Sequence, residues 1–310
     1  MQSLRSKFFI FLMKNRSILR FKFKKEVIDE NFSVKEFRAR IDKISEKMNK
    51  IPDDVKIKKF DIDEIYSEWI IPSNALDKKV LMYIHGGGFI SGNCNSHRMH
   101  VAKFAKNSGV SCLLFDYRLA PENKFPSAVE DCLKLYDWLL NNGYKSSDIV
   151  IGGESAGGTL TLSTLLAIKD SKRPFPKAAF SISPVTDLRC ESPSFKYNAK
   201  KDINPMNSST IWTKFYFGDT DVKNPILSPL FGNLNGLPPL LICVGTHEVH
   251  YDDAMNFGEK AKKAGVDVKM SIWKNMIHAF PIMSPLFPEA KKAMNEICKF
   301  VRENLNKITD

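Results

Sequence analysis

The chain has 310 residues, 43% of them hydrophobic, which suits one large α/β domain, or a core domain carrying an insertion, and is too apolar for global disorder. Forty-six Lys and Arg against 35 Asp and Glu leave a formal net charge of +11. The basic residues are dispersed and no nucleic-acid motif accompanies them, so the charge reads as a lysine-rich surface with no nucleic-acid partner.

The first elements in chain order are helical. Arg5, Lys7, Lys14, Arg16, Arg20, Lys22, Lys24 and Lys25 are interleaved with Leu4, Phe8, Phe9, Ile10, Phe11, Leu12, Met13, Ile18, Leu19, Phe21 and Phe23, an amphipathic basic segment. Its longest uncharged apolar run, Phe8 to Met13, is well short of the ~20 residues of a membrane-spanning helix. No small-residue cleavage site follows, which argues against a cleaved signal peptide. The economical use of such a face is to fold over a pocket as part of a cap; peripheral contact with an anionic membrane is the rival reading. A second helical pattern runs from Val34 to Met48. Residues 1–50 are therefore assigned as an N-terminal helical cap segment ahead of the main domain, 51–310.

Strand-like segments at Val55–Ile62 and Ile65–Ile71 open the main domain, and strands then alternate with helices. Val80–His85, Val110–Asp116, Ile149–Gly152, Ala178–Ile182, Leu240–Val244 and Val268–Trp273 read as strands. Ser96–Asn107, Ser127–Leu140, a run from Ser155, Tyr251–Ala264 and Pro288–Asn304 read as helices. This alternation predicts a mostly parallel sheet covered on both faces. Between Asp187 and Pro238 the rhythm breaks into an aromatic-rich stretch with Phe195, Tyr197, Trp212, Phe215, Tyr216 and Phe217, read as a helical cap insertion over 187–238. Ordinary packing of the insertion against the core is the alternative. Six cysteines, Cys94, Cys112, Cys132, Cys190, Cys243 and Cys298, show no paired spacing, and reduced thiols in a cytoplasmic protein are expected.

Two motifs follow predicted buried strands: His85-Gly86-Gly87-Gly88 after Val80–Ile84, and Gly153-Glu154-Ser155-Ala156-Gly157 after Ile149–Ile151. A G-x-S-x-G pattern alone is weak, but between strand and helix it marks the sharp turn that exposes a nucleophilic serine. Ser155 is that candidate. A serine hydroxyl needs a general base and amide donors for the oxyanion. Successive glycines can turn their N–H groups toward a carbonyl oxygen, so Gly86, Gly87 and Ala156 are assigned as oxyanion donors. A phosphate-cradling role for the same glycines lacks the Lys-Ser/Thr pair that should follow. His85 is read as bracing the glycine loop.

The base should stand late in the chain, and His278 lies in a loop between the last strand and the terminal helix. His97, His100, His247 and His250 sit in or beside helix starts. The acid should emerge after Leu240–Val244, where Glu248, Asp252 and Asp253 compete. Glu248 is nearest the strand end and is preferred; the two aspartates fall in a first helical turn, where acids commonly serve the macrodipole.

These residues, with Asp116-Tyr117-Arg118-Leu119-Ala120-Pro121-Glu122, Phe125-Pro126 and Glu130-Asp131, resemble the hormone-sensitive-lipase-like family of α/β-hydrolases, bacterial esterases in particular, from about Lys79 to Asn304. The resemblance implies an α/β-hydrolase fold, a cap built from an N-terminal helical segment plus an insertion, and Tyr117, Arg118 and Glu122 as a brace beneath the site. It also places the acid about thirty residues before the base, where Glu248 stands. Glu154 and Glu248 occupy positions where relatives more often have Asp. The implied activity is hydrolysis of a small-molecule carboxylic ester, with short to medium acyl chains, through an acyl-enzyme on a Ser155-His278-Glu248 triad, with no cofactor and no metal. A lactonase, deacetylase or amidase would use the same residues. A non-catalytic receptor, as in plant relatives that lack the histidine, is disfavoured because His278 is present.

Overall fold

The computed structural model of the chain describes residues 2–15, 28–29, 31–48 and 50–306. Two helices, α1 (Leu4–Lys14) and α2 (Val34–Met48), precede the sheet. Its described strands are β1 (Val55–Ile62), β2 (Ile65–Pro72), β3 (Val80–Ile84), β4 (Ser111–Phe115), β5 (Ile149–Glu154), β6 (Ala178–Ile182), β7 (Leu240–Gly245) and β8 (Val268–Trp273). Between and after them lie α3 (Cys94–Ser108), α4 (Ser127–Asn141), α5 (Ala156–Asp170), α6 (Ser194–Tyr197), α7 (Ser208–Phe217), α8 (Tyr251–Lys263) and α9 (Pro288–Asn306). From Val34 onward the predicted elements are present, with ends shifted by at most two residues, while the N-terminal helical segment is described only as far as α1. Helix α3 starts two residues before the predicted Ser96 because Asn93 caps it, accepting the Ser96 amide at 2.8 Å while Ser96 Oγ accepts the Asn93 amide at 3.0 Å.

The strands run in the spatial order β1-β2-β4-β3-β5-β6-β7-β8. β1, β2 and β4 pair antiparallel, and every pair from β4 to β8 is parallel. Strands β3 and β5 are buried along their whole length, as expected where helices cover both faces. Their side chains alternate. Leu81, Tyr83 and Val150 join the cluster under α3 and α9, whereas Val80, Met82, Ile84, Ile149 and Ile151 join the cluster under α4 and the start of α5. The rest of α5 packs with α8 through Leu162, Leu165, Ala254 and Phe257. All six cysteines are free and buried. Among the described residues no helix is long and apolar enough to cross a membrane.

The topology decides where a site can form. From β3 the chain moves outward to β4, then crosses back to β5 and continues to β6, so the order reverses between β3 and β5. Loops leaving adjacent carboxyl ends at such a reversal diverge and leave a crevice. The His85 and Ser155 motifs lie at those two strand ends. Helix α5 enters so close to β3 that a Cβ on Gly157 would lie 2.0 Å from the Ile84 carbonyl oxygen and 2.6 Å from that of His85. Both obstacles are backbone, which cannot swing aside. Gly157→Ala is therefore expected to destabilise the fold by about 3 kcal/mol through overpacking, read as a lower urea midpoint; a change within about 0.5 kcal/mol would contradict this packing.

Candidate active site

Ser155 sits at the turn from β5 into α5 with φ 55 and ψ −123, a left-handed backbone uncommon for a residue with a Cβ. The turn carries Oγ out of the sheet toward His278, whose Nε2 lies 2.8 Å away. On the other side of the ring, Nδ1 donates to Glu248 Oε2 at 3.3 Å. Glu248 is fully buried, and its Oε1 accepts the Gly245 amide at 2.5 Å, which fixes the carboxylate against the end of β7. A carboxylate only accepts, so the Nδ1 proton stays on that side and Nε2 presents its lone pair to the serine. Burial works against a charged imidazole, but the hydrogen bond and charge of Glu248, reinforced by Asp202, outweigh it and hold His278 above its ordinary 6.5. The three sequence candidates for nucleophile, base and acid are thus brought together.

Asp252 and Asp253 are turned elsewhere. Asp252 accepts the Ser194 amide at 2.8 Å and the Tyr197 hydroxyl at 2.7 Å, holding α6. Asp253 accepts the amides of Thr186 and Asp187 at 2.8 and 3.0 Å.

The assignment of Gly86 as an oxyanion donor is corrected. Its N–H is donated to Glu154 Oε1 at 2.6 Å and is not available to a substrate oxygen. Among the described residues the amides of Gly87, Gly88 and Ala156 have no acceptor, and Gly87 and Gly88 adopt φ of 124 and 66, a backbone that favours glycine. The cause of the correction is Glu154 itself. This buried carboxylate also accepts Tyr83 Oη at 2.6 Å and His97 Nε2 at 3.0 Å. Burial alone would raise its pKa; His97, Tyr83 and the Gly86 amide outweigh that and keep it below the ordinary carboxylate value. His85 fills the bracing role expected of it: Nδ1 donates to the Gly86 carbonyl at 2.8 Å, and the ring stacks on Tyr117 at 4.2 Å. Tyr117 Oη in turn donates to the His85 carbonyl at 3.0 Å.

Three contributors had no signal in the sequence. Asp202, buried in the insertion, accepts the amide of His278 at 3.1 Å and that of Val249 at 2.9 Å, so one side chain pins the loops that carry His278 and Glu248. His250 stands edge-on to His278, with ring centroids 4.8 Å apart, and burial together with the His278 charge lowers it to about 3, so it remains neutral. Arg38 on α2 donates to the carbonyls of Ile90 and Ala120 at 2.6 and 2.7 Å and pairs with Glu122.

That clamp aims α2 at a cavity of about 220 Å³ above Ser155. Phe37 and Ile41 from α2 form one wall, Ser209, Trp212 and Thr213 from α7 another, and the Gly86–Gly88 loop the floor. Trp212 lies directly over Gly88 and 5.3 Å from Phe37 between ring centroids. The insertion therefore lines the pocket through α7, while Phe215 and Phe217 pack on the core, so both readings of its aromatics hold for different residues. The N-terminal expectation needs correcting for Leu4–Lys14: no residue of α1 lines the cavity, because α1 rests on α9. The rest of the basic segment, 16–25, lies outside the described residues. Among the described residues no three His, Cys, Asp or Glu side chains group as metal ligands.

Comparison with known proteins identifies the family. Residues 81–282 match the family model described as alpha/beta hydrolase fold. An acetyl-hydrolase of Streptomyces hygroscopicus is 36% identical over 238 residues, 76% of this chain and 79% of its own. An esterase of Acinetobacter venetianus is 35% identical over 233 residues, 74% of this chain and 77% of its own. The crystal structure of an esterase from the bacterial hormone-sensitive lipase family superposes with a TM-score of 0.89 at 32% identity, covering 99% of this chain and all of that one. With a family model matched over 81–282, relatives above 30% identity over most of the chain and a solved structure of the same fold, the chain belongs to the α/β-hydrolase family, in its hormone-sensitive-lipase-like esterase branch.

Proposed function

We propose that the chain is a serine carboxylesterase that hydrolyses small esters through an acyl-enzyme, with Ser155 as nucleophile, His278 as base and Glu248 as the acid that orients it. The observation that carries this reading is the continuous chain Ser155 Oγ, His278 Nε2, His278 Nδ1, Glu248, with spacings of 2.8 and 3.3 Å. As Ser155 Oγ attacks the ester carbonyl carbon, its proton passes to His278 Nε2, and Glu248 stabilises the imidazolium. The oxyanion is held by the free amides of Gly87, Gly88 and Ala156. Collapse expels the alkoxide, which takes the proton from His278, and water activated by the same ring then releases the acid.

The cap is α2 together with the 187–238 insertion. The pocket beneath it, open to solvent on one side, holds about 220 Å³, below the roughly 300–1,000 Å³ of drug-sized ligand sites. That supports short to medium acyl groups, as do the names of the acetyl-hydrolase and esterase relatives.

A protonated His278 cannot take the serine proton, so activity is lost as pH falls through its raised pKa. The acidic limb of kcat/KM should therefore have its midpoint above 6.5. Glu248→Gln removes the charge that favours the imidazolium, so it should lower the rate by about 10⁴-fold and move that midpoint to lower pH. Asp252→Asn should change the rate by less than about tenfold, since its carboxylate faces α6. Equal losses from the two substitutions would refute the acid assignment.

Across p-nitrophenyl esters from acetate to palmitate, kcat/KM should peak at or below medium chain length. Faster turnover of the palmitate ester than of the butyrate would refute the size limit set by Phe37, Ile41 and Trp212.

A further inference from the structure

The interior side of α1 is fully engaged. Its cap residue Ser3 donates to Glu289 at the start of α9, through the amide at 2.5 Å and the hydroxyl at 2.8 Å, and Ser6 Oγ donates to the same carboxylate at 3.2 Å. Ile10 is buried, and Phe9 packs on Phe287 with ring centroids 6.3 Å apart. These contacts fix the rotation of the helix about its axis. What they turn outward is a strip of large apolar side chains: Leu4 at 83% exposure, Phe8 at 60% and Phe11 at 62%. Positions 4, 8 and 11 lie on one face of a helix.

Solvent-facing phenylalanines at helical spacing are the reverse of what a surface helix normally shows. The polar residues beside them are of one sign: Arg5 and Lys7 are exposed on the same helix, and no acidic residue occurs in the chain before Glu26. The sequence adds Arg16, Arg20, Lys22, Lys24 and Lys25 within the next eleven residues. Such a face matches the boundary of an anionic bilayer, where Phe and Leu enter the headgroup and acyl region and Lys and Arg meet the lipid charge. A protein partner fits less well, because three side chains in a row are far from the ~1,200–2,000 Å² that a stable protein interface buries. The helix is also held in place by the fold. An isolated segment of this length would lose most of its binding to the cost of ordering; here Glu289 and Phe287 have already met that cost.

From this arrangement we infer that α1 is a peripheral docking element for anionic lipid surfaces, inserting Leu4, Phe8 and Phe11 while Arg5 and Lys7 on the same helix contact the headgroups. The attachment is interfacial and reversible.

Co-sedimentation of the full chain with vesicles of phosphatidylcholine containing phosphatidylserine tests this. Binding should be present at low salt, lost at about 0.5 M salt and absent with pure phosphatidylcholine. The double substitution Phe8→Glu and Phe11→Glu should weaken partitioning at least about tenfold. Hydrolysis of a soluble p-nitrophenyl ester should be unchanged in that variant, which establishes that it is folded and that α1 is separate from the pocket. Undiminished vesicle binding by the folded double variant would overturn the inference. So would failure of the unmodified chain to bind anionic vesicles, or self-association through this face without lipid binding.

Discussion

Glu154 is a fully enclosed carboxylate one residue before Ser155, and the geometry of the site depends on where its two oxygens point. It accepts the Gly86 amide from the loop after β3, the Tyr83 hydroxyl from within β3 and the His97 ring from α3. A buried charge is tolerated only when it is fully hydrogen-bonded, and each bond to a charged group contributes about 1.5–3 kcal/mol. Satisfying Glu154 therefore locks the glycine loop to the serine turn. The first glycine is used as a tether, and the two that follow are left with their amides free. Because β3 and β5 are neighbours at the reversal of the sheet, this tether spans a few ångströms even though the residues are nearly seventy positions apart.

The other half of the site is held by the insertion. Asp202 binds the backbone of both His278 and Val249, and Asn198 donates to the carbonyls of Thr246 and Glu248 at 3.0 and 2.8 Å. The same insertion supplies Trp212 to the pocket wall. Pocket shape and triad alignment are thus coupled through one segment. A change in the 198–202 stretch acts on the base and acid loops, whereas a change at Trp212 acts on the space available to substrate. Arg38 does for α2 what Asp202 does for the insertion, anchoring a pocket wall to the backbone of the glycine loop and of the segment that follows Tyr117.

Much of this was legible in the sequence, and what was not has a physical reason. The parallel strands β3 to β7 are legible as short apolar runs, and Ser155 and His278 stand out as candidates because one follows β5 directly and the other lies in the loop after β8. Glu248 was distinguishable from Asp252 by its distance from β7. Gly86 was misread because the amides of three consecutive glycines look equivalent; which one is free depends on a carboxylate from another strand, visible only once β3 and β5 are paired. Asp202 lies in a polar stretch among lysines and carries no local mark of its two long-range bonds. In the described part of the basic N-terminal segment, α1 carries an exposed apolar strip. The direction of α1, however, is set by Glu289 and Phe287 at the far end of the chain, and they turn it away from the pocket.

On the proposed mechanism the oriented Ser155-His278 pair is the reacting couple. Treatment with a fluorophosphonate that forms a covalent adduct only on an activated serine, followed by mass spectrometry of the digested protein, tests it most directly. A single adduct is expected, on the peptide containing Ser155, formed in step with loss of esterase activity and essentially absent in His278→Ala. Labelling of a different serine, or equally fast labelling of Ser155 without His278, would contradict it.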